Sequence, residues 1–474
     1  MSTAELPITL DFGSNSPLTI QLAAHLRTAI LDGTLRAEDS LLSSRTLAAE
    51  LGVSRGVVVR AFEQLSGEGY LESHGAGGTR VAVRPDIRGH VPAATAARPP
   101  EAGRPMLDLS PGRPSGTPFL DNEWRSAWRK AVAEPMSPRL PPALGVDILR
   151  AAIQGHLGTS RGLNVGAEDV IVSAGTSDAL QLVVTALRRR SRIPRILVED
   201  PGYPTARRVL TAAGAVVETL PVGVDGLRVE QLAGRGTPPD AVLVTPSHQY
   251  PLGGRMPIQE RLALLSWAAA NNVLILEDDY DSEFRHRRMP LPTLASLPSE
   301  ADVILVGTFS KSLSPWLRCG YLVARGSSAP LLKQARRDLD SPVPGIMQLA
   351  LARYIDGGGL ARHIARARRE YAHRRAIILE RLGERDDVVV SALDGGLHAV
   401  LELPPGLDAR DLVGRALEQG VLVPALADYY ADGARKNGLV LGYGAVTDLE
   451  LARALGVLLS LIEDVGAGKA PSSE

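Results

Sequence analysis

The chain has 474 residues, 45% hydrophobic and 22% charged, with a formal net charge of −1. That is an ordinary globular composition and excludes a uniformly basic polyanion binder. One cysteine, Cys319, excludes a disulfide framework and a multi-cysteine metal cluster, and no metal site is expected. No apolar run reaches the roughly 18 residues of a membrane span, and the start MSTAELPITLDF lacks the pattern of a secretion signal. The expectation is a cytoplasmic protein without a membrane partner. Only five of the 52 basic residues are lysine (Lys130, Lys311, Lys333, Lys436 and Lys469), which makes each worth examining.

Residues 1–84 read as a small helical module. Leu18 to Asp32 carries apolar residues at helical spacing and Gly33 is a plausible stop. Ser44 is placed to cap a short helix ending at Gly52, and Ser54 to cap a third. Two short β-runs flank His74-Gly75-Ala76-Gly77-Gly78, which suits a hairpin with a glycine-rich tip. Helix, helix–turn–helix and hairpin make a winged helix–turn–helix. Residues 85–106, rich in Pro, Ala, Gly and Arg, read as a linker.

Residues 107–465 alternate β-rich runs with helical patterns, an α/β body with a mainly parallel sheet. The predicted strands are Val170–Ser173, Ile196–Glu199, Ala241–Thr245, Val273–Asp278, Val303–Gly307 and Tyr321–Ala324. The segment from His363 to Arg375 reads as a basic helix, whose face suits nucleic acid, a membrane or, as the family resemblance given below implies, solvent between two domains, and residues 466–474 read as a disordered tail.

The run Leu42-Ser43-Ser44-Arg45-Thr46-Leu47-Ala48, Val53-Ser54-Arg55 and Gly69-Tyr70-Leu71 resembles the DNA-binding module of GntR-type regulators. The resemblance implies that Arg45, Ser54, Arg55 and the wing-tip residues His74 and Gly75 contact double-stranded operator DNA. Arg45 and Arg55 each offer a bidentate fork to a guanine edge or a phosphate, and Ser54 suits a phosphate at a helix start. The module as a whole has seven Arg against nine acidic residues, but three Arg face one Glu between Ser43 and Arg60. Its basic charge is therefore local, and strong salt dependence is expected.

Lys311 follows a predicted buried strand, where a lysine is costly unless it has a task. A desolvated lysine has a lowered pKa and becomes the free amine that a Schiff base needs. Thr308, Ser310 and Arg318 around it are groups that a phosphate wants. Upstream, Glu277-Asp278-Asp279-Tyr280-Asp281 closes a strand, Gly175-Thr176-Ser177 opens a helix, and Tyr203 ends another strand. All lie at carboxyl ends of strands, where α/β sheets build sites.

This ensemble resembles fold-type I, pyridoxal-phosphate (PLP)-dependent aminotransferases. Joined to the N-terminal module, and with TPSHQYPLGGRM at 245–256 and EDDYDSEF at 277–284, the chain resembles the MocR subfamily of GntR regulators. The resemblance implies a fold-type I large domain with a small C-terminal α+β subdomain, and a head-to-tail homodimer. It implies an internal aldimine at Lys311, Asp278 as partner of the pyridinium nitrogen and Tyr280 as partner of the phenolic oxygen. Tyr203 would stack on the ring, while Gly175, Thr176, Ser177, Thr308, Ser310 and Arg318 would hold the phosphate. Strand alternation puts Asp278 and Asp279 on opposite faces, and only the family pattern favours Asp278. Glu277 reads as a structural acid, Cys319 as a core filler, and His248 as either a neighbour of the ring or a packing residue.

Two departures matter. The Tyr-Gly-Asp-Pro stretch whose tyrosine reaches a partner's phosphate is replaced by Leu140-Pro141-Pro142-Ala143-Leu144-Gly145. Where a GABA-responsive member carries a carboxylate-binding arginine, this chain reads Ala425-Leu426-Ala427-Asp428-Tyr429-Tyr430. The expectation is a transcription regulator sensing an amino compound or PLP itself. The alternatives are an active aminotransferase with an accessory DNA-binding module, and a DNA-binding protein whose large body is only a scaffold.

Overall fold

The computed structural model describes residues 8–14, 16–73, 78–82, 106–115, 121–223, 225–286, 292–383, 385–433 and 436–466. The wing-tip residues His74 and Gly75, nearly all of the expected linker and the expected tail from residue 467 lie outside the described residues. The chain divides into two compact units, residues 1–101 and 102–474.

In the first unit, α1 (Leu18–Leu31), α2 (Ser44–Glu50) and α3 (Arg55–Gly67) precede an antiparallel pair, β1 (Leu71–Ser73) and β2 (Thr79–Val81). Leu22, Leu26 and Ile30 of α1 meet Val58, Phe62 and Leu65 of α3 in one small core. The Arg27–Glu68 ion pair, at 2.7 Å, joins the two helices at the surface. The cap of α2 differs from expectation by one residue. Ser43, not Ser44, accepts the Thr46 backbone N–H at 3.2 Å, because the helix already begins at Ser44.

The second unit opens with β3 (Leu107–Asp108) and is built on a seven-stranded sheet. Its strands are β4 (Val170–Ser173), β5 (Arg195–Asp200), β6 (Val216–Pro221), β7 (Ala241–Val244), β8 (Leu274–Asp279), β9 (Val303–Thr308) and β10 (Gly320–Ala324). The order is β4-β10-β9-β8-β7-β5-β6. Strands β6, β5, β7, β8 and β9 pair in parallel, whereas β10 runs antiparallel to both neighbours. Strand β6 is absent from the sequence reading: it lies at the sheet edge, and its VVETLP pattern is only partly buried. Strand β8, LILEDD, is buried along its whole length, so three carboxylates enter the interior on one strand. Buried charge of this kind needs specific partners.

A smaller antiparallel sheet joins β11 (Val389–Ser391), β12 (His398–Glu402) and β14 (Gly438–Gly442), beside helices Ala409–Glu418 and Asp448–Gly466. Strand β3 pairs in parallel with β13 (Val421–Leu422), so residues 107–115 run along this smaller layer. Two glycines make room for that run. A Cβ on Gly442 would lie 2.3 Å from the Ser110 carbonyl oxygen, and one on Gly444 would lie 2.2 Å from that of Arg113. The basic helix is Gly359–Leu382, and its expected solvated face is in part a set of stitches. Arg374 donates to the carbonyls of Tyr443 and Gly444, and Arg375 to that of Leu393.

Candidate functional site

Helix α4 (Thr176–Leu187) starts at Gly175, whose φ of +96° turns the chain out of β4. The turn leaves the first N–H groups of the helix without intrahelical partners, a natural anion site. Strands β8 and β9 deliver Asp278 and Thr308 to the same end of the sheet, and the short helix Phe309–Ser312 carries Lys311. The result is a cavity of about 290 Å³. Nine residues singled out from the sequence line it: Thr176, Ser177, Tyr203, Asp278, Tyr280, Thr308, Ser310, Lys311 and Arg318. Gly175 supplies the turn and is not in the wall; a Cβ there would sit 3.9 Å from Arg318 Nη1.

The two adjacent aspartates part company. Asp279 turns into the core, where it meets the Arg161 guanidinium and the Ser282 hydroxyl. Asp278 faces the cavity, and its Oδ1 is buried without a hydrogen-bond partner. Burial, with Asp279 alongside, pushes the Asp278 carboxyl up to about 7, against the pull of Lys311. A protonated ring nitrogen is the kind of donor that such an orphaned acceptor lacks. Glu277 is structural, accepting the backbone N–H groups of Leu294 at 2.9 Å and Ala295 at 3.1 Å.

The Lys311 amine donates to the Gly112 carbonyl at 2.7 Å. Burial lowers its pKa, while Asp278 and Asp281 pull the other way. Desolvation thus favours the neutral, nucleophilic amine. Arg318 is an exposed residue in the left-handed region, at φ +45°, at the open side of the cavity. With Thr308, Ser310 and the start of α4 it forms a donor set suited to a phosphate. Thr308 also accepts the Ser310 N–H at 3.1 Å. These residues fit a flat, phosphorylated pyridine aldehyde.

Several wall residues carried no role in the sequence reading: Pro111, Gly112, Thr245, Tyr250, Asp281 and His398. Tyr250 sits in the quoted stretch at 245–256 and meets four rings edge-on, those of Tyr203, Tyr280, His398 and Tyr429, at 5.1–6.0 Å. His248 lies behind the wall, its Nδ1 2.8 Å from Asp281 Oδ2 and 3.0 Å from the Tyr280 hydroxyl. Asp428, in the stretch lacking an arginine, pairs with Arg410 at 3.6 Å and is half-exposed. Cys319 is fully buried in the core, where burial pushes its thiol up to about 12.

In the first unit, Arg45, Ser54 and Arg55 are all exposed. Ser54 is the N-cap residue of α3, yet its side chain makes no capping hydrogen bond. Arg55 Nε donates to Ser44 Oγ at 3.3 Å, which orients its guanidinium across the gap between α2 and α3.

Residues 104–457 match the aminotransferase class I and II family, and residues 18–81 match the gntR family of bacterial regulatory proteins. The HTH-type pyridoxine biosynthesis transcriptional regulator PdxR of Corynebacterium glutamicum is 41% identical over 93% of this chain and 95% of its own length. The probable rhizopine catabolism regulatory protein MocR of Rhizobium meliloti is 32% identical, over 96% and 95%. Among solved structures, the α-aminoadipate aminotransferase LysN of Thermus thermophilus, complexed with N-(5'-phosphopyridoxyl)-L-leucine, superposes with a TM-score of 0.67. It is 27% identical over 76% of this chain and 93% of its own.

Proposed function

The chain belongs to the aminotransferase class I and II family, fused to a GntR module as in the MocR-type regulators, and from that membership we propose that it is a PLP-responsive transcription regulator. The observation that carries the cofactor assignment is the pairing of Lys311 and Asp278 across one buried cavity. PLP supplies an aldehyde and an electron-withdrawing ring when bound. Lys311 offers the amine for the aldehyde, Asp278 the acceptor for the ring nitrogen, and Tyr280 a hydroxyl for the phenolic oxygen. Tyr203 offers a ring face. Arg318, Thr176, Ser177, Thr308 and Ser310 hold the phosphate, with Gly175 shaping the turn.

The module of residues 1–84 reads DNA through Arg45, Ser54 and Arg55, and the family resemblance adds His74 and Gly75. Residues 85–106 connect it to the body of residues 107–465. The effector is an amino compound or PLP itself, and the name of the Corynebacterium relative, a regulator of pyridoxine biosynthesis, favours the cofactor. Arg318 is the single arginine in the cavity wall among the described residues, and the phosphate claims it. That weighs against efficient transamination of amino acids. A homodimer is supported by exposed large apolar side chains on the second unit, Trp316 at 92%, Met136 at 75% and Leu140 at 69%. No helix among the described residues is long and apolar enough to cross a membrane, and promoter binding implies a cytoplasmic location.

For the switch to be allosteric, the two states of the cavity must differ in DNA affinity, typically by ~1–3 kcal/mol. A gel shift on the DNA upstream of the protein's own gene, with and without PLP and amines at several salt concentrations, tests it. Binding that ignores every addition contradicts the switch. Multiple-turnover transamination of an amino acid supports the enzyme reading instead.

A further inference from the structure

We propose that the part of the cavity lined by Tyr250, Asp281, Leu397 and His398 is a subsite for the cationic end of a diamine-like effector, with Asp281 as its counter-charge. The inference rests on the amino-compound arm of the functional reading above and names the ligand class for the same cavity.

The argument is one of charge. Among the described residues four charged side chains line the cavity: Lys311, Arg318, Asp278 and Asp281. The cofactor uses three of them, Arg318 for the phosphate, Asp278 for the ring nitrogen and Lys311 for the aldehyde carbon. Asp281 is left over. It is 99% buried, and its Oδ1 has no hydrogen-bond partner. Its Oδ2 lies 2.8 Å from His248 Nδ1, and the far nitrogen of that imidazole, Nε2, is buried without a partner. Asp281 thus lines the cavity with one carboxylate oxygen tied to His248 and the other, Oδ1, met by no protein donor.

Arg285 lies behind this wall and feels the Asp281 carboxylate, but among the described residues no ion pair joins the two. His398 lies 2.9 Å from the Pro251 carbonyl through Nε2, and burial pushes its imidazolium down to about 4, so the ring stays neutral at ordinary pH. Tyr250 and Tyr280 add aromatic surface, which attracts a cation through the ring quadrupole. The stretch Ala425–Tyr430 brings no cation, since its Asp428 points to Arg410 and solvent.

An effector with two amines uses both features. Its first nitrogen takes over the carbon–nitrogen double bond that Lys311 gives up, and two hydrogens pass from that nitrogen to the lysine. Lys311 leaves as a free amine; no electrons are transferred and no further reactant is needed. The second nitrogen, as an ammonium, reaches Asp281.

The test uses the full chain loaded with PLP and follows its visible absorption band during titration with 1,4-diaminobutane, 1-aminobutane and 4-aminobutanoate. The diamine is expected to half-saturate the spectral change at a concentration about tenfold below that of 4-aminobutanoate, with the monoamine between them. Asp281→Asn should bring the three within about threefold, and Asp281→Glu, which keeps the charge, should retain the order. The proposal is overturned if 4-aminobutanoate is as effective as the diamine, if Asp281→Asn keeps the full preference, or if no amine moves the band. A wild-type protein that never develops a visible band overturns the reading of Lys311 itself, and so is distinguishable from failure of the subsite alone.

Discussion

The two regions proposed to carry function are built by opposite rules. The DNA-reading face is contiguous and exposed: Arg45, Ser54 and Arg55 lie within eleven positions, on the surface of a small helical unit. The cofactor cavity draws its walls from Pro111 to His398 and hides carboxylates and a lysine from water. In the first, chemistry is local and substitution should cost affinity but little stability. In the second, Asp278 and Lys311 are held against a desolvation penalty, so function and stability are coupled. Four substitutions probe that difference.

The largest effect is expected from Lys311→Ala, which removes the amine. PLP should no longer give the absorption of a lysine-bound chromophore, while DNA binding without cofactor stays unchanged. Spectra recorded alongside gel shifts separate the two, and a band that survives refutes the role of Lys311. Arg55→Ala should do the converse. A bidentate arginine contact is worth about 1–3 kcal/mol, so operator affinity should fall by roughly 10- to 100-fold with the visible band intact. Thermal melts should coincide with the wild type, because Arg55 is exposed.

Asp278→Asn tests the coupling directly. A carboxyl whose folded-state pKa is raised, here to about 7, holds its proton longer in the folded chain than at its unfolded value of about 3.9. The contribution to stability is complete below about pH 4 and is lost as pH rises through 7. Asparagine escapes that loss, so the cofactor-free variant should be more stable than wild type at pH 8, by on the order of 2 kcal/mol, with no gain at pH 4. Its affinity for PLP should fall. Equal melting temperatures at both pH values would show that Asp278 is not held at a cost.

The smallest effect is expected from Gly112→Ala. Its Cβ would lie 2.6 Å from Lys311 Nζ, at a backbone φ of +76°, so the amine must leave the Gly112 carbonyl. The rate at which the visible band develops after mixing with PLP should change severalfold, with little change in DNA binding. An unchanged rate would show that this contact does not govern access to the amine.

Much of this arrangement was legible in the sequence, for physical reasons that differ by region. The helices of the first unit follow from apolar spacing and caps; the choice between Ser43 and Ser44 slipped, and Ser54 sits at its cap position without the side-chain bond. The buried strands β4, β5, β7, β8 and β9 announce themselves as apolar runs ending in polar residues. Strand β6 does not, since at the sheet edge only one of its six side chains, Leu220, is buried. The reversed direction of β10 is a property of the connection, not of its residues. The separate fates of Asp278 and Asp279 needed the packing of Arg161, 118 positions away, against one face of β8. Tyr250, Asp281, His398 and Gly112 escaped for the same reason, because what unites them is a cavity and not a motif. Tyr250 and Asp281 stood within quoted stretches and were the discoverable ones.

The central claim is that the buried cavity governs the exposed reading face. It is tested most directly by the salt-controlled DNA affinity of wild-type protein and of Lys311→Ala, each with and without PLP. The account predicts that PLP shifts the wild-type affinity by about 5- to 150-fold and leaves the Lys311→Ala affinity where it was. Equal responses in the two proteins, or none in either, would contradict it.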